Sequence, residues 1–157
     1  MELILWRHAE AATGEPDAAR PLTERGRRQA ERMARFLAPR LPDDLRVIVS
    51  PARRAQETAR ALGRSFETVE RIAPGCDVAS LLDAAGWPES GRPVLAVGHQ
   101  PTLGEAAARL VGGREASWDL GTGAACWLQA RPRKDGREAM LLLSIEQSIL
   151  ERDEPAG

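Results

Sequence analysis

The sequence predicts an α/β fold: a three-layer α/β/α sandwich on a mostly parallel sheet, with antiparallel strands added toward the C-terminal end. Strand-like runs at 2–6, 45–49 and 94–97 alternate with helical patterns over the first two thirds of the chain. That order places helices on both faces of a parallel sheet. The last third differs, with two strand-like stretches, 124–130 and 139–146, flanking Lys134-Asp135-Gly136 as a hairpin turn. The 157 residues, 43% hydrophobic and 29% charged, suit one core. Residues 1–150 are therefore expected to form a single domain and 151–157 a polar tail.

Residues 2–6 form a short buried strand, and a polar loop follows from Ala11 to Pro21. Thr23 is the expected N-cap of a helix whose inner stripe is Ala30, Met33, Ala34 and Leu37; Pro39 and Pro42 close it. After strand 45–49, Ser50-Pro51 reads as a helix start, serine capping and proline first, with the helix running to about Gly63. Residues 66–72 are expected as an edge strand and 78–85 as a short helix stopped by Gly86. The apolar run 94–97 leads into a helix from Pro101 to about Val111, ended by Gly112-Gly113.

Several function classes are disfavoured. A net charge of -1 gives no bulk attraction to nucleic acid, and no stretch approaches the roughly 18 apolar residues a membrane span needs. Arg25, Arg27, Arg28, Arg32 and Arg35 cluster, but with Glu24 and Glu31 among them they read as a solvated helix face. Cys76 and Cys126 are distant and read as small apolar residues; with only two histidines there is no metal-ligand spacing. Neither metal nor cofactor is expected. Met1-Glu2-Leu3 opens no leader pattern, so a cytoplasmic protein is expected, a monomer or weak homodimer, with Trp87, Trp118 and Trp127 assigned to the core rather than an interface.

Both histidines fall at the carboxyl end of a predicted strand. One strand ends in Arg7-His8, another in Gly98-His99, and a third leads to Ser50-Pro51-Ala52-Arg53-Arg54. In an open α/β sheet, ligands bind beyond these strand ends. Thr58, one helical turn after Arg54, faces the same side. Guanidinium groups near helix-start N–H groups suit a compact dianion such as a phosphoryl group. The sequence has neither GxxxxGK[ST] nor a post-strand GxGxxG, so no nucleotide loop is implied.

Four segments, taken together and in order, resemble the histidine phosphatase superfamily, the phosphoglycerate-mutase-like enzymes. They are Leu5-Trp6-Arg7-His8-Ala9-Glu10, Pro21-Leu22-Thr23-Glu24-Arg25-Gly26, Ser50-Pro51-Ala52-Arg53-Arg54-Ala55-Gln56-Glu57-Thr58 and Val97-Gly98-His99-Gln100-Pro101. The resemblance spans about residues 1–115, and within it the chain looks most like the short phosphohistidine phosphatases of the SixA type. Ala9 departs from the glycine that many members carry, and the family spacing selects Arg54 over Arg53. The resemblance implies a metal-independent phosphatase in which His8 is the nucleophile, while Arg7, Arg54 and His99 hold the phosphoryl oxygens.

The proton donor is less determined. Glu10 is the carboxylate nearest the nucleophile in sequence, with Glu105 a second candidate. The chain between Arg54 and His99 is too short for a lid domain as well as the elements assigned there. A shallow site favours protein phosphohistidine as substrate and a phosphorylated protein as partner. The enzymatic alternative is a phosphomonoesterase acting on a small phosphorylated metabolite or nucleotide. The non-enzymatic alternative is an idle phosphate- or phosphoprotein-binding module.

Overall fold

The computed structural model describes residues 1–133 and 136–153. Six strands form one mixed sheet: β1 (Glu2–Arg7), β2 (Arg46–Val49), β3 (Glu67–Thr68), β4 (Val94–Gly98), β5 (Ala125–Arg133) and β6 (Gly136–Ile145), in the order β3-β2-β4-β1-β5-β6. Strands β1 to β4 run parallel, and β5 and β6 continue the sheet antiparallel. The α/β sandwich expected from the sequence is the observed fold.

Side-chain alternation divides the core in two. Ile4, Trp6, Val47, Val49, Leu95 and Val97 point to one face, packed with α1 (Glu24–Leu37) and α2 (Arg53–Arg60). Leu3, Leu5, Ile48, Val94 and Ala96 point to the other, packed with α3 (Val78–Ala85) and α4 (Thr102–Gly112). Burial on both sides explains why β4 reads as an unbroken apolar run. A short helix, α5 (Gln147–Leu150), follows β6, and Leu150 joins the α1 side of the core. Among the described residues, no helix is long and apolar enough to cross a membrane.

Several local expectations are corrected. Helix α2 begins at Arg53 with Ala52 as its N-cap, and the Ser50 hydroxyl sits before it, accepting from Ala52 N at 3.3 Å and meeting His99 Nε2 at 2.7 Å. The predicted edge strand 66–72 shrinks to Glu67–Thr68, and a 3₁₀ turn takes Glu70–Ile72 to bury Ile72. Arg32 leaves the solvated face of α1: it is buried, and its Nη1 donates to Gln147 Oε1 at 3.0 Å and to Glu151 Oε1 at 3.4 Å. That contact orders the first residues of the expected tail, 151–153, as a 3₁₀ turn. The expected turn at Lys134-Asp135 lies outside the described residues. Trp127 is buried, Trp87 and Trp118 pack against the core, and Cys126 is buried there too, which pushes its thiol up to about 12.

The Pro21–Gly26 segment has a packing explanation. Thr23 caps α1 by accepting from Gly26 N at 2.9 Å, and Thr23 N donates to Glu10 O at 3.0 Å. A Cβ on Gly26 would collide with that same Glu10 carbonyl. The helix start is thus pressed against the turn that follows His8. Gly26→Ala is expected to lower unfolding stability by about 1–3 kcal/mol, the usual cost of forcing atoms into packed space, read as a shifted urea midpoint with an unchanged slope.

Candidate active site

Strand pairing carries the site. Arg7 at the end of β1 pairs with Gly98 at the end of β4, and β4 is flanked on its other side by β2. The ladder continues one residue further, with His8 N donating to Gly98 O at 3.1 Å and Ser50 N to Val97 O at 3.0 Å. His8, Ser50 and His99 therefore leave three adjacent strands at one edge. The imidazole centroids of His8 and His99 lie 5.1 Å apart.

Hydrogen bonds assign the tautomers. His8 Nδ1 lies 2.8 Å from the Ala9 carbonyl, which can only accept, so Nδ1 carries the proton. Nε2 keeps its lone pair and accepts from Arg54 Nε at 3.3 Å. His99 Nδ1 faces Arg54 Nη2 at 3.4 Å, and its Nε2 lies 2.7 Å from Ser50 Oγ. Nδ1 of His99 is therefore the acceptor and Nε2 the donor.

Both rings are buried, and burial is the main force lowering their pKa values, His8 to about 4 and His99 to about 3. For His8 the Ala9 carbonyl opposes this, while Arg54, Arg7 and Arg20 reinforce it. For His99 the reinforcement comes from His8, Arg54 and Arg7, with Asp17 opposing. At neutral pH both rings are uncharged.

Arg54 is 4% exposed and points into the site, whereas Arg53 turns outward to pair with Glu57 at 2.7 Å. Thr58 sits beneath them, its Oγ1 donating to Arg54 O at 2.7 Å and accepting from Ala9 N at 3.0 Å. This one hydroxyl ties α2 to the turn after His8. Arg7 donates from Nη1 to Leu120 O, and its buried Nε has no hydrogen-bond partner. Burial lowers the Arg7 pKa, countered by Asp119 and Glu146.

Arg7, His8, Glu10, Arg54 and His99 all line one open cleft of about 350 Å³. Glu10 is tethered there: Oε1 accepts from Thr23 Oγ1 at 2.7 Å and Oε2 meets Arg25 at 3.4 Å. Glu105 is not brought in and lines a separate surface cleft with Arg109. Sequence reasoning missed Ser50 as a histidine partner, and missed Asp17 and Arg20. Arg20 lines the cleft, and Asp17 pairs with Arg54 at 3.2 Å and with Arg20 at 3.1 Å. The signal available was their place in the loop leading to Pro21-Leu22-Thr23. Among the described residues no three His, Cys, Asp or Glu side chains converge as metal ligands.

Residues 3–75 match the histidine phosphatase superfamily (branch 1). Phosphohistidine phosphatase SixA of Escherichia coli (strain K12) is 32% identical over 123 residues, covering 72% of this chain and 76% of that protein. The SixA homolog of Haemophilus influenzae is 33% identical over 130 residues, covering 73% and 79%. A solved structure of the protein histidine phosphatase SixA complexed with tungstate superposes with a TM-score of 0.78 at 27% identity, covering 96% of this chain and 99% of that one.

The neutral histidines set a pH dependence. Unfolded histidines titrate near 6.5, the folded ones near 4 and 3. Between these values the unfolded chain binds more protons, so stability is full above pH 6.5 and falls as pH drops toward 4. Proton NMR of the two imidazoles is expected to show neutral-form shifts down to pH 5. Titration of either ring near 6.5 would contradict the buried arrangement.

Proposed function

The chain belongs to the histidine phosphatase superfamily, and from that premise we propose that it is a SixA-like phosphohistidine phosphatase acting on a phosphorylated protein through a covalent enzyme intermediate. The observation that carries the reading is the His8 tautomer: Nδ1–H is committed to the Ala9 carbonyl, leaving the Nε2 lone pair in the cleft among guanidinium groups. A neutral imidazole oriented this way is a nucleophile that needs no prior deprotonation.

In this reading His8 Nε2 attacks phosphorus in line. The new N–P bond forms as the P–N bond to the substrate imidazole breaks, and that imidazole leaves with a proton. Water then cleaves the intermediate to inorganic phosphate and restores His8. Positioning and charge compensation dominate such a transfer. Arg54 supplies Nε and Nη2, now turned toward the two histidines, and Arg7 adds its guanidinium at the wall of the same cleft. His99 contributes by shifting its proton to Nδ1, or gaining one there, when a phosphoryl oxygen arrives. The Ser50 hydroxyl supports either form, since it can accept from Nε2 or donate to it.

The substrate class follows from the cleft's openness and from the relatives. Between α2 and β4 the chain supplies only β3, the 3₁₀ turn and α3, with Pro74 and Gly75 reaching the cleft. A phosphorylated side chain on a protein surface can enter such a site. An imidazole leaving from a phosphoramidate also leans less on an enzymic acid than an alkoxide does, which suits a site whose nearby carboxylate, Glu10, is held by Thr23 and Arg25. In this reading the leaving imidazole takes its proton from solvent, and Glu10, at the rim of the same cleft, relays a solvent proton when the leaving group is an alkoxide.

Incubation with a labelled phosphohistidine protein and a quench that avoids acid is expected to trap label on His8, and His8→Ala is expected to lose both label and turnover. Dephosphorylation at the wild-type rate by His8→Ala would rule out this nucleophile. Arg54→Ala should reduce kcat by about 10²–10³-fold, while Arg53→Ala changes it little. Glu10→Gln should slow hydrolysis of phosphate esters more than of phosphohistidine. Faster turnover of a panel of small phosphate esters than of the phosphohistidine protein would move the assignment to a phosphomonoesterase.

A further inference from the structure

Behind two arginines of the cleft lies a carboxylate that phosphoryl transfer does not require. Asp17 sits in a 3₁₀ turn, Asp17–Ala19, above the strand ends. Its Oδ2 accepts from Arg54 Nη2 at 3.2 Å, its backbone carbonyl from Arg54 Nη1 at 3.0 Å, and its Oδ1 from Arg20 Nε at 3.1 Å. One carboxylate is thus shared by two guanidinium groups that face the site. The pairing holds Asp17 ionised, with its pKa lowered by Arg54 and Arg20 against a desolvation cost.

The geometry bears on ligand affinity. Arg54 Nη2 has two acceptors, Asp17 Oδ2 and His99 Nδ1 at 3.4 Å. A phosphoryl oxygen binding Nη2 would take the place of the His99 lone pair while Asp17 stays on the other side. Two oxygens bonded to one nitrogen lie no more than about 6 Å apart. The guanidinium between them is buried and the Asp17 carboxylate is 57% exposed, so solvent weakens the repulsion without removing it.

We propose that Asp17 is a built-in counter-charge that weakens oxyanion binding in the cleft, so that product phosphate leaves and free phosphate does not occupy the site. The inference rests on reading the cleft as a phosphoryl site. A site of neutral histidines and three guanidiniums with no such carboxylate would retain the dianion it produces. Asp17 acts through Arg54 and Arg20 and by field, and touches no reacting atom. It also positions those groups, so removing its charge and removing its hydrogen bonds have opposite consequences.

Inorganic phosphate is the probe, titrated calorimetrically into wild type, Asp17→Asn and Asp17→Ser at neutral pH. Its inhibition of phosphohistidine hydrolysis is measured in parallel. Asparagine keeps an acceptor for Arg54 Nη2 without the charge, and serine provides a second charge-free variant should the first fold poorly. Asparagine is expected to bind phosphate about threefold to fivefold more tightly, the scale of one screened charge pair, and serine, which also loses the hydrogen bonds, more tightly than wild type by a smaller factor, with the inhibition constant and KM falling together. A purely structural role predicts the opposite sign, because loosened guanidiniums raise both constants. Unchanged or weaker phosphate binding in both variants would overturn the counter-charge while leaving the phosphatase reading intact. Tighter binding in a protein that does not hydrolyse phosphohistidine would overturn that reading and leave the counter-charge standing.

Discussion

The site depends on one register: the parallel pairing of β1 with β4 that sets Arg7 opposite Gly98. Because the side-chain period of a strand is two, a one-residue slip would exchange the two faces of the sheet, moving Leu3 and Leu5 into the α1 layer and Trp6 into the α4 layer. The separate apolar clusters on each face oppose that slip. The same packing that fixes the core therefore fixes the distance between His8 and His99, residues that are remote in sequence. Ser50 joins them because β2 lies on the other side of β4. The geometry of the cleft is a by-product of strand order.

What was legible in the sequence was what the backbone alone determines. Strand ends and helix periods announced β1, β4, α1 and α4, and the polar residues at those ends announced His8, His99 and Arg54. What was illegible depended on tertiary partners. Ser50-Pro51 has the local chemistry of a helix start, yet the serine hydroxyl meets His99 as well as Ala52 N and the helix starts at Arg53. Arg32 has the composition of a solvated face, yet Gln147 and Glu151, far along the chain, draw it inside. Asp17 and Arg20 lie in an irregular loop with no periodicity to read, and only Arg54 gives them a place.

Electrostatics and packing reinforce one another in the cleft. Burial makes a charged imidazole costly, and nearby guanidiniums make it costlier, so both rings stay neutral. The positive charge resides on arginines, which remain ionised when buried. This separation leaves the charge on the arginines and an uncharged lone pair on His8 Nε2. It also explains why the His8 Nδ1–H bond to Ala9 matters: without it the ring could present N–H rather than a lone pair to the cleft.

The C-terminal third completes a cleft whose first lining residues, Arg7 and His8, lie near the N-terminus. Gly123 N donates to His8 O at 3.0 Å, and Trp6 Nε1 donates to Gly123 O at 3.2 Å, so the loop before β5 clamps the end of β1. Leu120 O holds Arg7. That loop is held in turn by Gln147, which is buried and whose Nε2 donates to both Gly123 O and Gln29 O. Gln29 closes the circuit, its Oε1 accepting from Glu10 N at 2.9 Å. Two glutamines on different helices thus connect α1, the β5 loop and the turn after His8 through buried amides, which gain more from being satisfied than exposed ones would. The strands bring His8, Ser50 and His99 to one edge, and this amide circuit fixes the loops around them.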